Sequence, residues 1–247
     1  MPPTISVIII AKNEALNIVD CVKSAAFADE ILVMDSGSTD NTVQLAKDNG
    51  AIVVETDWPG YGPQQNKAID KCKGDWIFSL DADERITPEL AKEILETITF
   101  SQFVIFDVPR KSLFLTTFMS HSGWWPDRTR RLFKRGCARF TTHEIHANLN
   151  STYTAGHLKS HMIHYSYRQL DDVLEKMNRY SSGTARDLKV HGKRGSLRKA
   201  IFHGLWAFIR TYFIKLGFLD GSEGFMVAVF NAECSYYKYL KLSYLSK

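Results

Sequence analysis

The chain has 247 residues, of which 45% are hydrophobic and 23% charged, so a core of useful size can be buried as in an ordinary globular protein. Its net charge of +4 hides a division: residues 1–100 hold 8 Lys/Arg against 17 Asp/Glu (−9), and residues 101–247 hold the other 23 against 10 (+13). No charge-free apolar run approaches the ~20 residues of a membrane-spanning helix, which excludes an integral spanning protein, and the basic half predicts an anionic partner, membrane or nucleic acid.

In chain order, Ile5–Ile10 (ISVIII) is a continuous β-branched run, as expected of a strand buried on both faces. A helix follows over about 14–26, then a strand over 30–34 (EILVM). Residues 38–50 start with capping residues and end at Gly50, reading as a second helix. A third strand is predicted at 51–55, a third helix at 62–74 and a fourth strand at 75–80. Thr87 and Pro88 open a helix reaching about Ile98. This alternation implies a parallel sheet with right-handed crossovers, an α/β fold. Further on, QFVIFDVPR (102–110) and TRRLFKR (129–135) read as strands around a loop, SHSGWWPD (120–127). Helices are predicted at 169–189, 197–216 and 224–241. Cys21, Cys72, Cys137 and Cys234 are scattered, and no signal peptide is apparent, which together predict a reduced, cytosolic chain.

Ligands of open α/β sheets bind beyond the carboxyl ends of the strands. Three polar clusters fall there: Lys12-Asn13-Glu14, then Asp35 to Asp40, then Asp81-Ala82-Asp83-Glu84. Asp81 and Asp83, two apart on an extended segment, would point to one side and share a hard cation such as Mg²⁺ or Mn²⁺. The alternative is a polar turn with Arg85 as counter-charge. Asp35 ends a strand, Gly37 suits a tight turn, and the following helix start is a place for phosphate.

Together these strings resemble the opening of the family 2 glycosyltransferases. That family has the type A nucleotide-sugar-binding, Rossmann-like fold, here with a mixed, mainly parallel sheet and a helical C-terminal extension. The matching positions are Asn13-Glu14, Asp35-Ser36-Gly37-Ser38-Thr39-Asp40 and Asp81-Ala82-Asp83; Ser36 departs from the usual second Asp. The resemblance implies a UDP-sugar donor, a divalent metal held by Asp83 with Asp81, and inversion at the anomeric carbon. It assigns Asp35 to uracil and places Asn13, Glu14, Asn66 and Lys67 on the donor side, Lys67 toward the diphosphate. Inversion needs a carboxylate base for the acceptor hydroxyl; Glu144 in FTTHEIH (140–146) is expected to supply it, with Asp127 as competitor.

Five histidines, His143, His146, His157, His161 and His164, crowd into 22 residues, but their spacings match no common zinc site. His164 is an alternative accessory ligand of the catalytic metal. GWWPDRTRRLF (123–133) suits sugar stacking and phosphate gripping, or else a packed aromatic core. Over 199–216 apolar residues recur at helical spacing next to the basic stretch RDLKVHGKRGSLRK (186–199). This fits either a membrane-surface helix or a helix packed on the protein.

GWWPDRTRRLFKRG, THE, NRYSSGTA (178–185) and GFLDGSEGF (217–225) resemble bacterial β-1,4-glucosyltransferases that extend the first heptose of lipopolysaccharide inner core. That resemblance implies a heptose-Kdo-lipid A acceptor and a peripheral place on the cytoplasmic face of the inner membrane. The alternatives are the same chemistry with another UDP-sugar or a polyprenyl or other glycolipid acceptor, and, more remotely, a non-catalytic basic binding protein; no nucleic-acid motif is present, so no nucleic acid is expected. The expected organisation is a catalytic domain over 1–165, divided at about residue 100 into donor and acceptor halves, and a membrane-facing helical extension over 166–247.

Overall fold

The computed structural model describes residues 1–141 and 148–245. Its first half follows the strand–helix alternation: β1 (Ile5–Ala11), α1 (Ile18–Ser24), β2 (Glu30–Asp35), α2 (Thr42–Asp48), β3 (Ile52–Glu55), α3 (Tyr61–Lys71) and β4 (Trp76–Asp81). Next come β5 (Glu84–Ile86), α4 (Pro88–Phe100), β6 (Ile105–Phe114), β7 (Thr117–Phe118), β8 (Asp127–Lys134), β9 (Arg139–Phe140), β10 (Leu149–Asn150), β11 (Gly156–His157) and β12 (Met162–Tyr167). The chain ends with α5 (Leu170–Val190), α6 (Leu197–Ile209) and α7 (Gly221–Leu245). After β4, the sequence pattern gives β6 and β8 only: β5, β7, β9, β10 and β11 have two or three residues, too few to show a period, and β12, half-buried along most of its six residues, shows no clean alternation.

Two compact units are formed: residues 1–110 with 128–164, and residues 111–127 with 165–247. The first is built on the sheet, whose strand order among the described residues is β3-β2-β1-β4-β8-β6-β12-β5. The β3, β2, β1 and β4 strands pair in parallel, while β8 joins β4 antiparallel. This is an α/β fold with a mixed sheet, and the reason lies in β1. All seven of its residues are buried, because helices cover both faces of a central parallel strand. Ile5, Val7 and Ile9 face one apolar cluster and Ile8 and Ile10 the other, the alternation that a pleated strand imposes. The α4 helix starts as predicted: the Thr87 hydroxyl accepts the Leu90 N–H at 3.2 Å, with Pro88 in the first turn.

The second unit is helical, with the 111–127 segment joined to it. The single helix expected over 197–216 is interrupted: α6 stops at Ile209, a π-helical turn spans Arg210–Ile214, and a 3-10 turn spans Gly217–Asp220 before α7. The change of direction falls at Leu216, whose φ of 54° is left-handed. Beside it, a Cβ on Gly224 would overlap the Gly217 carbonyl, so GFLDGSEGF needs its glycines for a close backbone crossing. Asp220 anchors that crossing by accepting the Ser120 and His121 N–H groups and the Ser122 hydroxyl. NRYSSGTA has a comparable role, because the Lys241 ammonium of α7 donates to Asn178, Ser181 and Ser182. Among the described residues, no helix is long and apolar enough to cross a membrane.

Candidate active site at the strand ends

Register brings the three polar clusters to one level. Ala11 pairs with Asp35 across β1 and β2, and Ile10 pairs with Asp81 across β1 and β4. The chain therefore leaves these strands along one sheet edge, in the first unit.

The first two loops are stitched together. Asn13 sits at φ 55°; its N–H donates to the Ser38 hydroxyl at 2.8 Å, and its side-chain oxygen accepts the Thr39 N–H at 2.8 Å. The Glu14 N–H donates to the Thr42 hydroxyl at 2.7 Å, and the Glu14 carboxylate accepts from the Asn17 amide at 2.7 Å. Asp40 completes the lacing by accepting the Ala15 and Thr42 N–H groups. Burial opposes ionisation of Asp40, but the Thr42 hydroxyl and these N–H groups outweigh it and hold its carboxyl below the usual range. The buried Asp35 accepts the Gly37 and Ser38 N–H groups at 2.9 and 2.8 Å and the Ser38 hydroxyl, so its carboxylate shapes the turn that Gly37 permits.

The third cluster departs from the extended geometry expected of it. Asp81 ends β4, but Ala82 and Asp83 form a turn leading into β5. The turn closes because the wholly buried Glu84 points back and accepts the Asp81 N–H at 3.0 Å. The two aspartates consequently have different neighbours. Asp81 Oδ2 accepts from Arg131 Nη2 at 2.7 Å, whereas Asp83 Oδ2 lies 3.3 Å from His164 Nε2.

Arg131 also donates to Glu84 Oε1 at 2.7 Å, which in turn accepts from Arg110 at 3.1 Å. Burial pushes the Glu84 carboxyl up, with Arg131 opposing. Burial likewise works against charge on Arg131, but Asp81 and Glu84 override it and hold the guanidinium firmly protonated. The Arg85 guanidinium donates to the carbonyls of Ala82, Glu84 and Asn17, beside the same cluster. The Cys21 thiol reaches the Asp81 carbonyl at 3.5 Å, and burial pushes its pKa far up, so it acts as an inert donor.

The other expected residues are placed as follows. Asn66 uses its amide on the Phe140 backbone, donating to the carbonyl and accepting the N–H, both at 2.9 Å. It thereby anchors β9. Lys67 pairs with Asp57 and donates to the Thr56 hydroxyl at 3.2 Å. Glu144, His143 and His146 lie outside the described residues. Asp127, the competing base, belongs to the second unit. His157 pairs with Asp107 and His164 with Asp83; among the described residues, no three His, Cys, Asp or Glu gather as a ready metal site.

The arginines of 128–131 have partners within the protein. Arg128 donates to the Leu158 carbonyl, Arg130 pairs with Asp107, and Arg131 is committed to Asp81 and Glu84. Trp124 packs against Phe114 and Tyr167, the aromatic-core alternative. Arg131 was legible in principle: strand alternation puts it on the face opposite Arg128 and Arg130, and the crowded carboxylates required a buried cation.

Comparison with known proteins shows the family. Residues 6–151 match the model of glycosyl transferase family 2. An uncharacterized glycosyltransferase of Rickettsia bellii is 33% identical over 259 residues, covering 98% of this chain and 87% of that protein. The lipopolysaccharide core biosynthesis glycosyltransferase LpsC of Rhizobium meliloti is 29% identical over 241 residues, covering 92% and 87%. Among solved structures, glucosyl-3-phosphoglycerate synthase from Mycobacterium tuberculosis, in complex with Mn²⁺, UDP and glucosyl-3-phosphoglycerate, is 27% identical with a TM-score of 0.38, over 45% of this chain and 44% of that one. With its laced strand-end loops and its Asp81-Ala82-Asp83 turn, and with the family model matched over most of the sheet unit, the chain belongs to glycosyl transferase family 2 and is a glycosyltransferase.

Proposed function

We propose that this enzyme moves a hexose, glucose foremost, from a UDP-sugar to a heptose of the lipopolysaccharide inner core, with inversion at the anomeric carbon. The observation that carries the reading is the level ending of β1, β2 and β4, which sets Asn13, Glu14, Asp35, Asp81 and Asp83 along one sheet edge. Asn13, Glu14 and Asp35 serve the nucleoside side; Lys67 serves the diphosphate, and Asn66 supports the site through β9.

The donor set fits a divalent cation, Mg²⁺ or Mn²⁺. Asp83 and His164 bring a carboxylate oxygen and an imidazole nitrogen within 3.3 Å, and no larger ligand group is preassembled among the described residues. An ion of this kind takes few protein ligands and fills its shell with phosphate oxygens and water. When bound, it would offset charge developing on the departing diphosphate. Asp83 is the direct ligand; Asp81, half-neutralised by Arg131, holds ribose or shares the ion. Glu144 takes the proton of the acceptor hydroxyl.

The acceptor assignment draws on the relative named for lipopolysaccharide core biosynthesis, which is alike over 92% of this chain. It also draws on the +13 balance of residues 101–247, suited to a phosphate- and carboxylate-bearing lipid at the cytoplasmic face of the inner membrane. The test is a panel of UDP-sugars against heptose-terminated lipid acceptor with Mn²⁺, alongside Asp83→Asn. UDP-glucose should be used fastest, and the variant should lose roughly 10²–10³ in turnover while melting like the parent. Full activity of Asp83→Asn, or of the parent in excess chelator, overturns the metal reading; no transfer to heptose overturns the acceptor.

A further inference from the structure

One part of the second unit, α6 with the turns after it, is packed inside out, in contrast to the ordinary apolar core that Phe114, Met119, Tyr167, Val173 and Val227 form elsewhere in the same unit. Along α6 and the turn after it, the buried positions are Ala200, Gly204, Ala207 and Thr211. The large residues between them point to solvent: Phe202 is 67% exposed, Leu205 62%, Trp206 48%, Phe213 55% and Ile214 57%. The pattern continues past the 3-10 turn, where Gly217 and Gly224 are buried while Leu219 is 56% exposed. Small residues let the helices close in: a Cβ on Gly204 would come to 3.2 Å from both the Ala232 carbonyl oxygen and the Tyr236 Cβ of α7. In water, burial of large apolar side chains drives packing, and a continuous exposed patch of this kind marks an interaction surface. Small-in, large-out packing is the arrangement of helices whose surroundings are themselves apolar.

Charge identifies those surroundings. Between residues 188 and 219 there is no Asp or Glu and there are seven Lys or Arg. Arg198, Lys199, Arg210 and Lys215 are exposed among the apolar residues. A second copy of the chain would bring these like charges together, whereas anionic headgroups would neutralise them. Since no described helix can span a bilayer, we infer that α6 and the two turns after it form a one-sided wedge that inserts Phe202, Leu205, Trp206 and Phe213 beneath the headgroups of an anionic phospholipid surface. The basic residues grip the phosphates above, and the apolar side chains make the attachment resistant to salt. This deepens the reading of a lipid-borne acceptor and rests on it for the identity of the leaflet.

The test compares the full chain with F202S/L205S/F213S, whose substitutions lie on the exposed face and leave the packed one alone. Both are floated with phosphatidylcholine vesicles containing phosphatidylglycerol, at low and high salt. The parent should stay with the vesicles at high salt; the variant's bound fraction should fall by about tenfold or more, the scale of exposing large apolar groups. Brominated lipid should quench parent fluorescence, and most of that quenching should vanish in Trp206→Phe. Equal retention of parent and triple variant overturns the inference, as does a parent that does not float. So does a parent that sediments as a dimer without lipid and becomes monomeric in the triple variant, since a second copy then covers the face. Transfer to a delipidated core oligosaccharide separates this inference from the catalytic one. A parent that transfers but does not float sinks only the wedge, and one that floats but transfers from no UDP-sugar sinks only the activity.

Discussion

The strand β1 and the helix α6, one from each unit, are both predominantly apolar, and the two elements use that composition in opposite senses. In the sheet unit, Ile5, Ile8 and Ile9 are fully buried, and covering helices exclude water from both faces. In the helical unit, Ala200, Gly204 and Ala207 are buried while Phe202 and Leu205 face outward. Hydrophobic content therefore does not say which face is the core; the size of the residues at the contact does. The sheet unit also keeps its polar chemistry at strand ends, where backbone register aligns it, while the helical unit keeps its polar groups as anchors of tight turns.

Four tests, with six substitutions, would break or sharpen this contrast, and the largest effect is expected beneath the strand ends. Arg131→Met leaves Glu84 buried with Arg110 and removes the partner of Asp81. Breaking a buried charge network in this way costs about 3–5 kcal/mol, read as a lowered denaturation midpoint in urea. A near-neutral result would show that water or a neighbour replaces the guanidinium.

Next is the placement of the base. Glu144→Gln should cut turnover by roughly 10² or more and leave UDP binding unchanged. Asp127→Asn, in the helical unit, should be close to parental. If the two phenotypes are exchanged, Asp127 is the base.

The inside-out packing makes a paired prediction. Gly204→Leu pushes a side chain into α7, where a Cβ already has 3.2 Å neighbours, and overpacking costs about 1–3 kcal/mol. Phe213→Ser, on the exposed face, should stay within about 0.5 kcal/mol of the parent. A conventional core would give the reverse order, and thermal melts of the two variants decide between them.

The smallest effect concerns the lacing of the first two loops. The folded-state pKa of Asp40 is depressed by its Thr42 and Ala15 hydrogen bonds. Its contribution is therefore present above the unfolded value of about 4 and fades as pH falls through the lower folded value. Asp40→Asn should lower stability by about 1 kcal/mol or less at neutral pH, and the two melting curves should converge as pH drops below about 4. A gap that stays constant down to pH 2 would remove the carboxylate from the account.

The alternation of strands and helices, the covered central strand and the order of the three polar clusters were all determined by sequence, because each depends on local periodicity, caps and turn residues. The placement of Asn13, Asp35, Asp81 and Asp83 at the strand ends was legible for the same reason: a strand end followed by a glycine or carboxylate cluster is a local signal. Only the tertiary structure decided what those residues touch. Arg131 neutralises Asp81 from 50 positions away and His164 approaches Asp83 across the paired strands β5 and β12. Asn66 holds the backbone of Phe140 74 positions away. Such partners are selected by sheet register, which no short window encodes. The direction of α6 was settled in the same way. Its apolar period announced a one-sided helix, but whether the large or the small side faces the protein depended on how closely α7 approaches Gly204.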